Sequence, residues 1–302
     1  MNNDILSTCQ IKTENFKIID NQTFNSTNNT MYQIASCSKF ITSIVVGKLY
    51  ELGKLDYDTD INKYLKKWKC PANNITLRTL LNHTSGTNDG LGYLGYEPFT
   101  LKKDLPTNIE TINGEDSHKG VNFVVKPGKK EMYSGAGYQV IQQVLEEITG
   151  KHLYQLMHQY IFRPLKFTNS TGKILYPGKH KYKLSNMNNC YRLYPETAAA
   201  GVWMSGNDLL KICMDLCKSY KYDTGKLLKK ETLMLFSNEE IGPYGIMGKK
   251  PIFGHSGQNY GYRMKMMCYP MEGKCTIVLT NYNPCCKNGL NKAKKFIKKF
   301  YI

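Results

Sequence analysis

What most constrains this chain is the uneven placement of its two hydrophobic periods. Alternating, strand-like runs lie at both ends, over residues 5–11 and 16–19 and again over 252–256, 262–269 and 275–281, with Gly257 and Glu272-Gly273 read as turns. Between them the period is helical. Phe40, Ile41, Ile44, Val45, Leu49 and Leu52 share a stripe that stops at Gly53, and Ile141, Val144, Leu145 and Ile148 share another that stops at Gly150. Shorter helices are expected over 61–68, over 75–81 behind a Thr76 cap, over 151–161, and after a capping box at Ser205-Gly206-Asn207-Asp208. Residues 87–126 carry turn formers and little periodicity, and read as a long surface excursion. Leu290, Ala293, Ile297 and Phe300 make a last helix whose opposite face is lysine. Strands at the ends with helices between them imply one α/β (α+β) unit, an antiparallel sheet flanked by helices with an all-helical lobe inserted. The expected division of this single 1–302 domain is an α/β lobe from 1–56 and about 196–302, and a helical lobe over about 57–195.

At the head of the first helical stripe stands Ser36-Cys37-Ser38-Lys39. Positions i and i+3 share a helix face, so the Ser36 hydroxyl and the Lys39 amine project together from the first turn. A desolvated amine beside a hydroxyl activates it as a nucleophile, and the N–H groups of a helix start can hold an oxyanion. The pair alone is also what a helix cap and a solvated lysine look like in a lysine-rich chain.

The formal charge of +17 suits an anionic partner, but abundant lysine, asparagine and tyrosine together are what AT-rich codons produce. The lysine-rich C-terminal helix is the best feature for nucleic acid, and no recognition motif accompanies it, so no specific nucleic-acid partner is expected. No apolar run is long enough to span a membrane, and the first residues have no export-signal pattern, so a cytoplasmic setting is expected. The ten cysteines then stay reduced. Cys213 and Cys217 share a helix face, and Cys268 and Cys275 fall on neighbouring strands. A zinc site would want tighter clustering with histidine, so no metal and no cofactor are expected.

Three spaced motifs carry a resemblance. Ser36-x-x-Lys39, then Tyr133-Ser134-Gly135, then His255-Ser256-Gly257 resemble the three motifs of the serine β-lactamase and penicillin-binding-protein superfamily, nearest to its class C β-lactamase, D-Ala-D-Ala-peptidase and esterase branch. The segments 75–86, 161–165 and 200–209 resemble further signatures of that family, in order, and the likeness covers about residues 32–283. It implies a β-lactamase/transpeptidase-like fold and a serine hydrolase working through an acyl-enzyme on Ser36. It further implies that Lys39 or Tyr133 is the general base, that His255 replaces the lysine of many relatives, and that the backbone N–H groups of Ser36 and Gln258 form the oxyanion hole. Ser256 and Gly257 would border the substrate, with glycine at 257 letting it lie close to the strand edge.

Two departures bear on activity. The second motif ends in Gly135, where typical β-lactamases have an asparagine that binds the substrate's carbonyl side chain. Relatives also carry a first helix that has no counterpart before Ser36. Esters, small amides and D-amino-acid peptides are therefore the expected substrates ahead of β-lactams. The alternative is a catalytically inactive relative serving as a peptide-binding or structural component. Oligomeric state is not legible.

Overall fold

Strands from the two ends of the chain do share one sheet. The computed structural model describes residues 4–88, 95–99, 101, 104–114, 120–179, 181–185 and 191–301. β1 (Ile5–Glu14) and β2 (Lys17–Phe24) form a hairpin. β1 then pairs antiparallel with the last strand, so the six-stranded sheet runs β2-β1-β9-β8-β7-β6, with β6 (Tyr244–Met247), β7 (Lys250–Asn259), β8 (Tyr262–Tyr269) and β9 (Lys274–Tyr282). Every pairing is antiparallel. A second, three-stranded sheet joins β3 (Met31–Gln33), β5 (Trp203–Ser205) and β4 (Ser170–Thr171) in that order.

The helices are α1 (Ser38–Glu51), α2 (Leu77–Leu81), α3 (Asn108–Asn113), α4 (Gly135–Thr149), α5 (Leu153–Met157), α6 (Gly206–Tyr222), α7 (Lys230–Asn238) and α8 (Gly289–Tyr301). β9 is buried almost throughout because it is covered on both faces. Cys275, Ile277 and Leu279 face the main core under α6, while Val278 meets Ile297 and Phe300 of α8. The lysines of α8 stay outside, so that helix packs in the way its apolar spacing predicts. Among the described residues no helix is long and apolar enough to cross a membrane.

Several expectations need correction. Gly257 is not at a turn; it lies within β7, and the turn falls at Tyr260-Gly261. The expected helix over 61–68 is one 3-10 turn, Ile61–Lys63. The 87–126 excursion contains α3 and an isolated bridge from Thr87 to Phe123, although residues 89–94, 100, 102–103 and 115–119 lie outside the described set. β3 to β6, α3 and α7 had no place in the sequence reading, most of them too short to show a period.

Candidate active site

Ser36 is not in the first turn of α1 but just ahead of it, in a 3-10 turn over Ala35–Cys37. Ala35 adopts φ +49°, a left-handed conformation that costs a residue with a Cβ about 1–3 kcal/mol. The surroundings impose it. Ile34 donates its N–H to the Val202 carbonyl at 3.0 Å, and Cys37 turns its N–H back to Ile34 at 3.0 Å. From below, β7 presses against the turn at Gly257. A Cβ on Gly257 would stand 2.5 Å from the Ile34 carbonyl oxygen and 3.1 Å from the Ser36 nitrogen. The absent side chain thus makes room for the Ser36 turn, a reason for glycine beyond the expected one of leaving space for substrate.

Lys39 lies one turn on and is fully buried. Its Nζ donates to the Ala199 carbonyl at 2.9 Å and reaches Ser36 Oγ at 3.5 Å. The run Ala198-Ala199-Ala200-Gly201-Val202 supplies that carbonyl because its small side chains let it lie flat along α1. Thr42 Oγ1 donates to Ala198 at 3.1 Å, and Val202 donates its N–H to Ser38 Oγ at 3.1 Å. Asn259, at the end of β7, closes the frame through Ala200 at 3.2 Å and Gln33 at 2.9 Å.

Tyr133 arrives from the loop before α4. Ser134 caps that helix, accepting the Gly137 N–H at 3.0 Å and donating to Asn88 at 2.6 Å, while Gly135 is buried as the first helical residue. The Lys39 ammonium stands 5.0 Å from the centroid of the Tyr133 ring, and the His255 ring lies 6.2 Å from the same centroid. Ser36, Lys39, Tyr133 and His255, drawn from a span of more than two hundred residues, therefore meet in one corner. Ser256 is exposed beside them, and its carbonyl lies 2.6 Å from His255 Nδ1. Burial and the nearby Lys39 charge push the His255 pKa down to about 4, so the ring is neutral at pH 7. A neutral ring facing a carbonyl must carry its proton on Nδ1, which leaves Nε2 as an acceptor.

Two residues of this corner were not singled out from sequence. His83 packs against Tyr133 at a tilt of 37°, with centroids 4.4 Å apart, and accepts the Ser134 N–H on Nδ1 at 3.0 Å. Burial, then Lys39 and His255, push its pKa down to about 3, so it too is neutral and acts as a wall that orients Tyr133. Glu196 is buried under the small-residue run, with both carboxyl oxygens unpartnered among the described residues. Burial raises its pKa to about 8 against the opposing pull of its own backbone N–H and of Lys39, which keeps it protonated at neutral pH. His83 sat inside a recognised segment; the burial of Glu196 is tertiary and left no mark in the sequence.

A cleft of about 720 Å³ opens on the Tyr133 side, between the α2–α4 region and β6–β7. Tyr133, His83, His255 and Ser256 are among its lining residues, as are the carboxylates Glu131, Glu239 and Glu240, while Ser36 and Lys39 are not. Glu239 is engaged by Arg78, which also holds Asp58.

Comparison with known proteins agrees with this architecture. Over 145 residues the chain is 30% identical to the teichoic acid D-alanine hydrolase of Staphylococcus aureus, a stretch that is 48% of this chain and 33% of that protein. The chain thus spans about a third of the length of the curated relative it matches. The D-amino acid amidase of Ochrobactrum anthropi SV3 superposes with a TM-score of 0.71 at 16% identity, covering 99% of this chain and 96% of that one. The octameric penicillin-binding protein homologue of Pyrococcus abyssi gives a TM-score of 0.68 at 21% identity, covering 93% and 71%. At such identities these two establish the shared fold. A sequence model of the family described as Beta-lactamase matches residues 18–290, nearly the whole chain, and the protein belongs to that family.

Proposed function

We propose that this protein is a serine hydrolase that acylates Ser36 and releases the acyl group to water, acting on small esters and amides of D-amino acids. The observation that carries the reading is the buried Lys39 Nζ within 3.5 Å of Ser36 Oγ. In its neutral form this amine takes the Ser36 proton as Oγ attacks the substrate carbonyl. The carbonyl oxygen, now negative, is met by the backbone N–H groups of Ser36 and Gln258, a reading supported by the close fit of the adjoining Gly257 against the Ser36 turn. The tetrahedral adduct collapses, the carbonyl–leaving-group bond breaks, and the departing nitrogen or oxygen takes a proton through the Lys39–Tyr133 pair. Water then attacks the ester on Ser36 by the same route in reverse. His255, neutral and with Nε2 free to accept, orients a hydrogen-bond donor near the Tyr133 ring.

The relatives named above are described as a D-alanine hydrolase and a D-amino acid amidase. The cleft carboxylates Glu131 and Glu240 fit the free ammonium group that such substrates carry. β-Lactams are the poorer fit. Gly135 offers no side-chain amide to their acylamino carbonyl, and a buried carbonyl left unpaired costs about 1–3 kcal/mol. The test is a comparison of kcat/KM for the p-nitroanilide or ester of D-alanine, its L-isomer, p-nitrophenyl acetate and nitrocefin. The D-alanine derivative should be turned over best and nitrocefin least. Nitrocefin turnover matching that of the D-alanine ester would overturn the substrate assignment.

A further inference from the structure

Four of the ten cysteines converge at one point in the core. Cys213 and Cys217 lie one turn apart on α6, and Cys268 of β8 and Cys275 of β9 sit directly opposite each other in the sheet register. All four are fully buried. The sulfurs of Cys213, Cys268 and Cys275 all lie within 4.8 Å of one another. Cys217 Sγ is 3.8 Å from Cys275 Sγ. The sequence expectation of no metal rested on the lack of tight clustering with histidine; the helix pair and the strand pair were each legible, and the docking of one on the other was not.

The Cys217–Cys275 separation of 3.8 Å fits a known coordination geometry, and Cys213, Cys268 and Cys275, within 4.8 Å of one another, lie near it. A tetrahedral zinc–thiolate bond of about 2.3 Å places the ligand sulfurs about 3.8 Å apart. Two other readings are weaker. Cysteine packs as a small apolar residue, but that use does not require four thiols to face one another. Two disulfides would resolve the cluster into separate pairs, with sulfurs bonded at about 2.05 Å. Here Cys275 is close both to Cys217 and to the Cys213–Cys268 group, so the thiols form one connected cluster and not two separate pairs.

We propose that Cys213, Cys217, Cys268 and Cys275 form a structural site for one Zn²⁺ that pins α6 to β8 and β9. An all-sulfur set with no solvent-facing position selects a thiophilic ion of flexible geometry and leaves no coordination place for substrate. Binding exchanges protons for metal: four thiols release four protons to solvent as Zn²⁺ becomes a tetrathiolate of charge −2. No oxidant is needed. Because the sulfurs are enclosed, the ion enters while α6 docks on the sheet, so metal supply acts on folding and not on turnover. The site is independent of the reading of Ser36.

The experiment is metal analysis of the full chain refolded under reducing conditions with Zn²⁺, and in parallel with Co²⁺. One zinc per chain is expected, and the cobalt form should show sulfur-to-metal charge transfer with the visible bands of a tetrahedral site. Cys217→Ser with Cys275→Ala should lose the metal, while Cys70→Ser, buried outside the cluster, should keep it. The cobalt spectrum of the wild-type chain keeps the test decisive even where the double variant does not fold. Metal at well under one equivalent in the refolded wild type, metal retained by the double variant, or a mass showing disulfides among these four cysteines would each overturn the proposal.

Discussion

The two walls of the active site are built on opposite principles. The Ser36 wall is over-determined. Ala35 is held in a left-handed conformation, Lys39 is tied to Ala199, and β7 fits the turn so closely that Gly257 has no room for a methyl group. The Tyr133 wall is open: the ring is 47% exposed, leans on the neutral His83, and borders a cleft lined with carboxylates. The difference teaches where each property resides. Reacting atoms need fixed positions, so chemistry belongs to the rigid wall, while the open wall can be varied to change substrate.

The sharpest way to break this contrast is to force the rigid wall apart. Gly257→Ala places a Cβ 2.5 Å from a backbone oxygen that cannot yield without moving Ser36. A displacement of that kind costs about 10²-fold in kcat and overpacking about 1–3 kcal/mol of stability. Steady-state kinetics with thermal melts checks both. Unaltered kcat in Gly257→Ala would mean that the close fit does not position the nucleophile.

The buried acid beneath the rigid wall gives a second, smaller effect. Glu196 holds its proton to about pH 8 in the folded chain and to about 4.5 when unfolded. Its contribution to stability is therefore full below pH 4.5 and is lost as pH rises through 8, at no more than about 1.4 kcal/mol per pH unit. His83 and His255, pushed down from 6.5 to about 3 and about 4, act oppositely, contributing above pH 6.5 and losing that contribution in acid. Denaturant midpoints across pH 4–9 should fall on both sides, and Glu196→Gln should flatten the limb above pH 6.5 while steepening the acid limb, where its slope opposes that of the histidines. A limb above pH 6.5 that stays steep in that variant would remove Glu196 from the account.

The smallest effect belongs to the open wall. Glu131→Gln should raise KM for substrates bearing a free ammonium group by about two- to fivefold, the worth of an exposed charge pair, without altering p-nitrophenyl acetate hydrolysis. Equal change for both substrates would assign Glu131 to architecture.

How much of this was visible in the sequence follows from the range of the interactions involved. The sheet formed from both chain ends was legible, because alternation over 262–269 is imposed by one buried face, and β8 indeed buries every second residue. Ser36, Lys39, Tyr133 and His255 were legible because each sits in a contiguous motif. The further reason for Gly257 was not, since it is the Ile34 carbonyl more than two hundred residues away. Glu196 stayed hidden for the same reason, and so did the four-cysteine cluster, whose halves lie on separately readable elements. The small sheet of β3, β4 and β5 has strands of three, two and three residues, too short to display a period.

The central claim is that the corner around Ser36 performs acyl transfer, and intact-mass measurement tests it most directly. The chain is treated with a fluorophosphonate, mapped by peptide, and compared with Ser36→Ala and Lys39→Ala. The account predicts a single adduct per chain on Ser36, abolished in the first variant and slowed by at least about 10³-fold in the second. An adduct that persists in Ser36→Ala, or labelling at full rate without Lys39, would contradict it.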